Sequence, residues 1–199
     1  MKLYGSLASP YVRKLRVLIA EKQLQVEFVV LPSAADARVA TLNPLGKLPV
    51  LQRDDGSTMF DSPVIAEYLD SFTAPALIPH GGEARWQVLA WQALADGILD
   101  ATVARMLEGR RPPELQSTDA RTHQEGKVAR AIAFAQQQLG DGAWLVEDRF
   151  SLADIALTTA LEYVDFRYPH AWRLAHPRLA NWLLHAAARP SFAATQPPT

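Results

Sequence analysis

The 199-residue chain contains no cysteine. That excludes disulfides, thiolate metal sites and any mechanism that uses a thiol of the protein itself. It has no surplus of either charge. Twenty Lys and Arg face 21 Asp and Glu, for a net charge of -1. Nothing is left over to neutralise a phosphate backbone, so general nucleic-acid binding is disfavoured. No stretch approaches the roughly 18–20 uncharged apolar residues of a membrane span. The opening Met1-Lys2-Leu3-Tyr4-Gly5-Ser6 lacks the apolar core of a signal peptide. These absences lead to the expectation of a cytoplasmic protein without membrane contact. His80, His123, His170, His176 and His185 lack paired metal-ligand spacing, so no metal is expected. What is present is ordinary for a globular protein: 49% apolar and 21% charged residues. The length suits one large domain or two small ones.

The chain changes character near residue 73. Alanine occurs 7 times in residues 1–73 and 25 times in residues 74–199, about double the density. Alanine is the best helix former, so the second part should be almost wholly helical. Between the parts lies Thr73-Ala74-Pro75-Ala76-Leu77-Ile78-Pro79-His80-Gly81-Gly82, whose prolines and glycines mark a connection. The division expected is a domain at 1–73, a linker at 74–83 and a helical domain at 84–199.

The first part reads as β-α-β-α-β-β-α. Residues 2–5 are a short strand. Ser9 at the N-cap and Pro10 at the first helical position open a helix through about residue 22, with Val12, Leu15, Leu18 and Ile19 at helical spacing. Residues 25–31 are β-branched and apolar, a buried strand. A helix over 34–42 must stop before Pro44. Residues 48–53 and 57–60 flank Asp54-Asp55-Gly56, a hairpin signal. Asp61-Ser62-Pro63 opens another helix. This pattern makes one small mixed sheet. The second part predicts four or five helices, over 84–109, 118–139, after the capping sequence Ser151-Leu152-Ala153-Asp154, and over 176–188.

Three segments of the first part carry chemistry: Ser9 at a helix start, Gly46-Lys47-Leu48-Pro49-Val50 at a strand start, and Asp61-Ser62 at another helix start. Brought to one sheet edge, they offer a hydroxyl, an ammonium, a free strand-edge backbone, a carboxylate and two helix N-termini. Helix N-termini attract carboxylates, a carboxylate attracts an ammonium, and a strand edge pairs with an extended peptide. The set is complementary to a small zwitterionic peptide. Each residue also has a plainer reading: Ser9 and Asp61-Ser62 as helix caps, Lys47 as a solvated lysine beside a turn.

The motifs Ser9-Pro10-Tyr11-Val12-Arg13-Lys14, Asn43-Pro44-Leu45-Gly46-Lys47-Leu48-Pro49-Val50-Leu51 and Phe60-Asp61-Ser62-Pro63-Val64-Ile65-Ala66-Glu67-Tyr68-Leu69 stand in an order and spacing that resembles the glutathione S-transferases, specifically the bacterial branch with serine in the active-site position. Ser151-Leu152-Ala153-Asp154-Ile155-Ala156 resembles the helix cap of that family's second domain. The likeness covers essentially the whole chain. It implies a thioredoxin-like domain followed by an all-helical one, a two-fold homodimer, glutathione as co-substrate without a metal, and a detoxification role. It implies Ser9 as the catalytic residue, donating a hydrogen bond to the glutathione sulfur. Lys47 is implied for the glycyl carboxylate and the Leu48 backbone for the cysteinyl part. Asp61 and Ser62 are implied for the γ-glutamyl end, and Pro49 as cis. Asp61 departs from the family's more frequent Glu but leaves the same charge. Tyr4 is the rival hydroxyl. Tyr11, Arg105, Phe166 and Tyr168 are candidates for the wall that holds a small hydrophobic electrophile.

Two alternatives accompany this reading. One is a glutathione-dependent peroxidase or isomerase of the same fold, although the serine- and cysteine-rich motif of the isomerising relatives is absent. The other is a non-catalytic interaction module, against which the retention of Ser9, Lys47, Asp61 and Ser62 argues. The mixed-disulfide route of cysteine-type members is closed to a chain without cysteine.

Overall fold

A computed structural model of the protein describes residues 1–198. The chain forms two compact units: Met1–His80 joined by the segment from Arg189 onward, and Gly81–Ala188.

The first unit is built from β1 (Lys2–Gly5), α1 (Pro10–Glu21), β2 (Glu27–Val30), α2 (Ala37–Leu42), β3 (Val50–Gln52), β4 (Thr58–Met59) and α3 (Ser62–Asp70). The strands form one mixed sheet in the order β2-β1-β3-β4, with β1 parallel to β2 and antiparallel to β3. This is the thioredoxin-like arrangement. Leu3 aligns with Phe28 on one side and Leu51 on the other. Leu3, Val12, Leu15, Leu18, Leu51, Ile65 and Leu69 are fully buried. Each such side chain contributes roughly 2 kcal/mol by leaving water. A β-carbon on Gly5 would lie 2.5 Å from Val12 Cγ1, so glycine there lets α1 lie directly against β1.

Several elements are shorter than the sequence predicts. The second strand spans four residues, because only Glu27–Val30 pair with β1. The second helix begins at Ala37 because Asp36 Oδ1 accepts the Arg38 N–H at 3.0 Å and caps it there. Ser33 meanwhile holds Ala35 in a turn.

The connection after α3 is pinned from within. Lys22 Nζ donates to Asp70 Oδ1 at 2.7 Å, to the carbonyls of Asp70 and Pro75 at 2.9 Å each, and to the Thr73 carbonyl. Asp70 in turn accepts the Leu77 and Ile78 N–H groups.

The last helix, α9 (Pro190–Ala193), groups with the first unit, although the composition shift placed all of 84–199 in the helical part. The reason is local. Arg189 binds Glu21, Arg13 Nη2 donates to the Phe192 carbonyl at 3.3 Å, and Phe192 is fully buried. Composition reports helix, and it carries no information about which unit a helix joins.

The second unit contains α4 (Gly82–Glu108), a 3-10 turn at Pro113–Leu115, α5 (Thr118–Gln138), α6 (Leu152–Arg167), α7 (Trp172–Ala175) and α8 (Pro177–Ala187). The helix α6 is the central element, buried on nearly every side and packed against α4 and α8. Its start is closed by a reciprocal cap. Ser151 Oγ accepts from Ala153 N, and the Asp154 carboxylate accepts the Ser151 N–H at 2.8 Å. Among the described residues no helix is long and apolar enough to cross a membrane.

Candidate functional site

The strand register brings the three motif segments to one end of the sheet. Because β3 runs antiparallel to β1 with Tyr4 opposite Val50, the residues just before Val50 lie beside those just after Gly5. Because β4 runs antiparallel to β3 with Leu51 opposite Met59, Phe60 and Asp61 leave the sheet at that same end. The segment leading to Ser9, the Lys47–Pro49 turn and the start of α3 therefore all leave the sheet at one end, from the strands β1, β3 and β4 that lie in that order.

Ser9 is the N-cap of α1, partly exposed. Its Oγ accepts the Val12 N–H at a long 3.4 Å, and its own hydroxyl proton has no acceptor among the described residues. The rival hydroxyl is engaged elsewhere: Tyr4 Oη donates to Gln52 Oε1 at 3.1 Å.

The turn before β3 is shaped by a residue to which sequence reasoning gave no role. Asn43, almost fully buried, accepts the Leu45 N–H at 2.9 Å through Oδ1 and donates from Nδ2 to the Lys47 carbonyl at 2.9 Å. Gly46 adopts φ +62, a left-handed conformation that favours glycine. The Asn-Pro-x-Gly spacing was the available signal for such a turn. The turn leaves the Lys47 side chain exposed and without an ion pair among the described residues. The Leu48–Pro49 peptide is cis, and the Leu48 N–H and C=O make no backbone hydrogen bond among the described residues.

At the start of α3, Asp61 occupies the N-cap position but its carboxylate makes no capping bond and is exposed. Ser62 is 2% exposed, and its hydroxyl has no hydrogen-bond partner among the described residues. A cap that does not cap leaves the plainer reading of Asp61 without its main support. The end of the sheet thus presents an ammonium, a carboxylate, a hydroxyl and two helix N-termini, each with bonding capacity to spare.

The candidates for an electrophile wall in the second unit are less open. Arg105 Nε donates to Glu125 Oε1 at 2.5 Å, and its guanidinium lies 4.0 Å from the Tyr168 ring centroid. Burial pushes the Tyr168 phenol up to about 12, against the pull of Arg105. Phe166 is partly exposed and stacks beneath Arg167. Among the described residues no group of three or more His, Cys, Asp or Glu side chains could hold a metal ion.

Comparison with known proteins connects this geometry to a family. Residues 3–83 match the model of the glutathione S-transferase N-terminal domain, and residues 118–185 that of its C-terminal domain. The chain is 42% identical to the uncharacterized GST-like protein YibF of Escherichia coli (strain K12), over 100% of this chain and 99% of that one. A crystal structure of a glutathione S-transferase from Methylobacillus flagellatus KT with glutathione bound superposes with a TM-score of 0.95 at 43% identity, covering 99% of both chains. A glutathione transferase family member from Pseudomonas fluorescens Pf-5, also with bound glutathione, gives a TM-score of 0.88 at 39% identity, covering 100% of this chain and 99% of that one. With both domain models matched in order and whole-length relatives at this identity, the chain belongs to the glutathione S-transferase family.

Proposed function

We propose that the protein is a serine-type glutathione transferase, which binds glutathione in the first unit and activates its thiol through Ser9. The observation that carries this reading is the unused bonding capacity at one end of the sheet: Lys47, Asp61 and Ser62 all lack side-chain partners among the described residues. Relatives of about 40% identity hold glutathione. Lys47 pairs with the glycyl carboxylate, and the free Leu48 backbone pairs with the cysteinyl unit as an added strand would. Asp61 faces the γ-glutamyl ammonium. Ser62 and the N-terminus of α3 take the γ-glutamyl carboxylate.

Ser9 acts on the sulfur. A free thiol with a pKa near 8.5 is only a few per cent thiolate at neutral pH, and the thiolate is the nucleophile. Lowering that pKa by about two units takes roughly 2.7 kcal/mol of preference for the anion. A charge-assisted hydrogen bond from the Ser9 hydroxyl and the dipole of α1 together supply energies of that size. The thiol proton leaves to solvent. The thiolate then bonds to a small hydrophobic electrophile, which expels its leaving group or opens its ring. The same reading includes a cytoplasmic homodimer with a role in detoxification.

The test is Ser9→Ala assayed with glutathione and a chloronitroarene. The variant should lose about 100-fold in kcat/KM and shift the pH profile upward, while Tyr4→Phe stays near wild type. An undiminished Ser9→Ala enzyme, or no saturable glutathione binding by calorimetry, overturns the proposal.

A further inference from the structure

The helix that Ser9 caps is held on two sides. Toward the sheet, Val12 lies against Gly5 of β1, and Leu15 follows it at helical spacing, both fully buried. A second side is covered by the C-terminal segment: α1 packs against α9, with Phe192 fully buried and Ser191 and Thr195 nearly so.

Three polar anchors join this segment to α1, spaced along its length. In the first turn Arg13 Nη2 donates to the Phe192 carbonyl at 3.3 Å, with its guanidinium 6.0 Å from the Phe192 ring centroid. One turn on, Arg16 Nη1 reaches the Thr195 carbonyl at 3.5 Å. In the last turn the Glu21 carboxylate accepts from Nε and Nη2 of Arg189 and from the Ser191 hydroxyl. The segment is braced internally, because Thr195 Oγ1 donates to the Ser191 carbonyl at 2.8 Å.

These anchors do what apolar contact cannot. Burial of Val12 and Leu15 holds α1 on the sheet, but it is non-directional and resists separation more than sliding or tilting. Hydrogen bonds and a two-point guanidinium–carboxylate fork are directional and fix a register. Ser9 depends on that register. Its Oγ is tethered only by the long 3.4 Å bond from the Val12 N–H, and its carbonyl accepts the Arg13 N–H at 3.0 Å. The hydroxyl therefore moves with the first turn of α1, and Arg13 is the residue through which the C-terminal segment holds that turn. A hydroxyl that must meet a sulfur at hydrogen-bond distance loses much of its effect when displaced by about 1 Å.

We propose that the C-terminal segment is a positioning clamp for Ser9, acting through the Arg13–Phe192 contact at the Ser9 end of α1 and the Glu21–Arg189 fork at the other. The clamp presupposes that Ser9 activates the thiol, as proposed above. Arg13, Phe192 and Arg189 are positioning residues, which act through that hydroxyl rather than on the sulfur.

The test titrates the bound glutathione thiol by its ultraviolet thiolate absorbance in the wild-type chain, Ser9→Ala, Arg13→Gln and the variant carrying both. Arg13→Gln should raise the thiol pKa by about one unit and lower kcat/KM for the chloronitroarene about tenfold, with glutathione affinity within a few-fold of wild type. On the Ser9→Ala background the same substitution should shift the thiol no further, because no hydroxyl is left to position. A direct effect of the Arg13 charge on the sulfur would instead add to that of Ser9→Ala. If Arg13→Gln fails to fold, Arg189→Met decides: it removes a partly exposed anchor at the far end of α1 and should give the same pattern with a smaller shift. Additive shifts, or an unshifted thiol in the folded clamp variant, overturn the clamp alone. An unshifted thiol in Ser9→Ala overturns the serine-type reading and the clamp with it.

Discussion

Arg189 grips both carboxylate oxygens of Glu21, at 2.8 and 2.6 Å, across 168 positions of chain. Ser191 Oγ adds a third bond at 2.5 Å to the same carboxylate. This fork fastens the C-terminal segment to the last turn of α1, the helix that Ser9 caps.

The Glu21 fork should be pH-sensitive. Burial pushes this carboxyl up, but the hydrogen bonds from Arg189 and Ser191 outweigh it and hold the group below its usual value. A lowered acid contributes stability above the unfolded carboxylate range and loses it as pH falls through the folded value. Glu21→Gln should therefore cost about 1 kcal/mol at pH 7. The difference from wild type should close in strongly acidic buffer, as followed by urea unfolding at the two pH values.

Lys22 and Asp70 form a buried ion pair with side-chain exposures of 2% and 5%. Removing one partner leaves the other charge uncompensated, together with the carbonyls that Lys22 satisfies. Lys22→Met should cost about 3–5 kcal/mol, read from the denaturant midpoint. Fragments from limited proteolysis should show cutting after Thr73, where the connection loses its anchor.

Asp154 titrates in the opposite sense to Glu21. Burial drives its carboxyl up to about 6, against the hydrogen bonds from Leu145 and Ser151. A raised acid binds its proton more readily in the folded state, so its contribution is full below the unfolded value and is lost as pH rises through about 6. Relative to Asp154→Asn, wild-type stability should fall by at most about 3 kcal/mol between about pH 4 and pH 7. Thermal melts of both proteins across that range would show it. A flat difference would mean that the cap keeps the carboxylate ionised throughout.

Binding and chemistry should separate by residue. Lys47→Met and Asp61→Asn each remove a charged contact proposed for glutathione, and each should weaken its binding about tenfold. Their kcat should remain within a few-fold of wild type. Ser9→Ala should do the reverse. Calorimetry with glutathione, set beside steady-state kinetics, distinguishes the two patterns.

Much of the fold was legible in the sequence because its signals are local. Ser9-Pro10 and Ser151-Leu152-Ala153-Asp154 marked helix starts by their own capping chemistry. Asp54-Asp55-Gly56 marked the hairpin, and the doubled alanine density marked the helical part. Element ends were less legible, since a strand lasts only as long as its partner. Residues 25–31 read as one run, while β1 offers pairing to four of them.

By itself the sequence determined which residues are chemically equipped: a hydroxyl at position 9, an ammonium at 47, a carboxylate at 61, and no thiol anywhere. The tertiary structure alone decided which of them keep spare bonding capacity. Tyr4 spends its hydroxyl on Gln52 and Arg189 spends its charge on Glu21, whereas Lys47 and Asp61 find no carboxylate or ammonium of the described chain within reach. The physical reason is that a charge or hydroxyl is a property of one residue, but its satisfaction depends on groups that only folding brings within 3 Å.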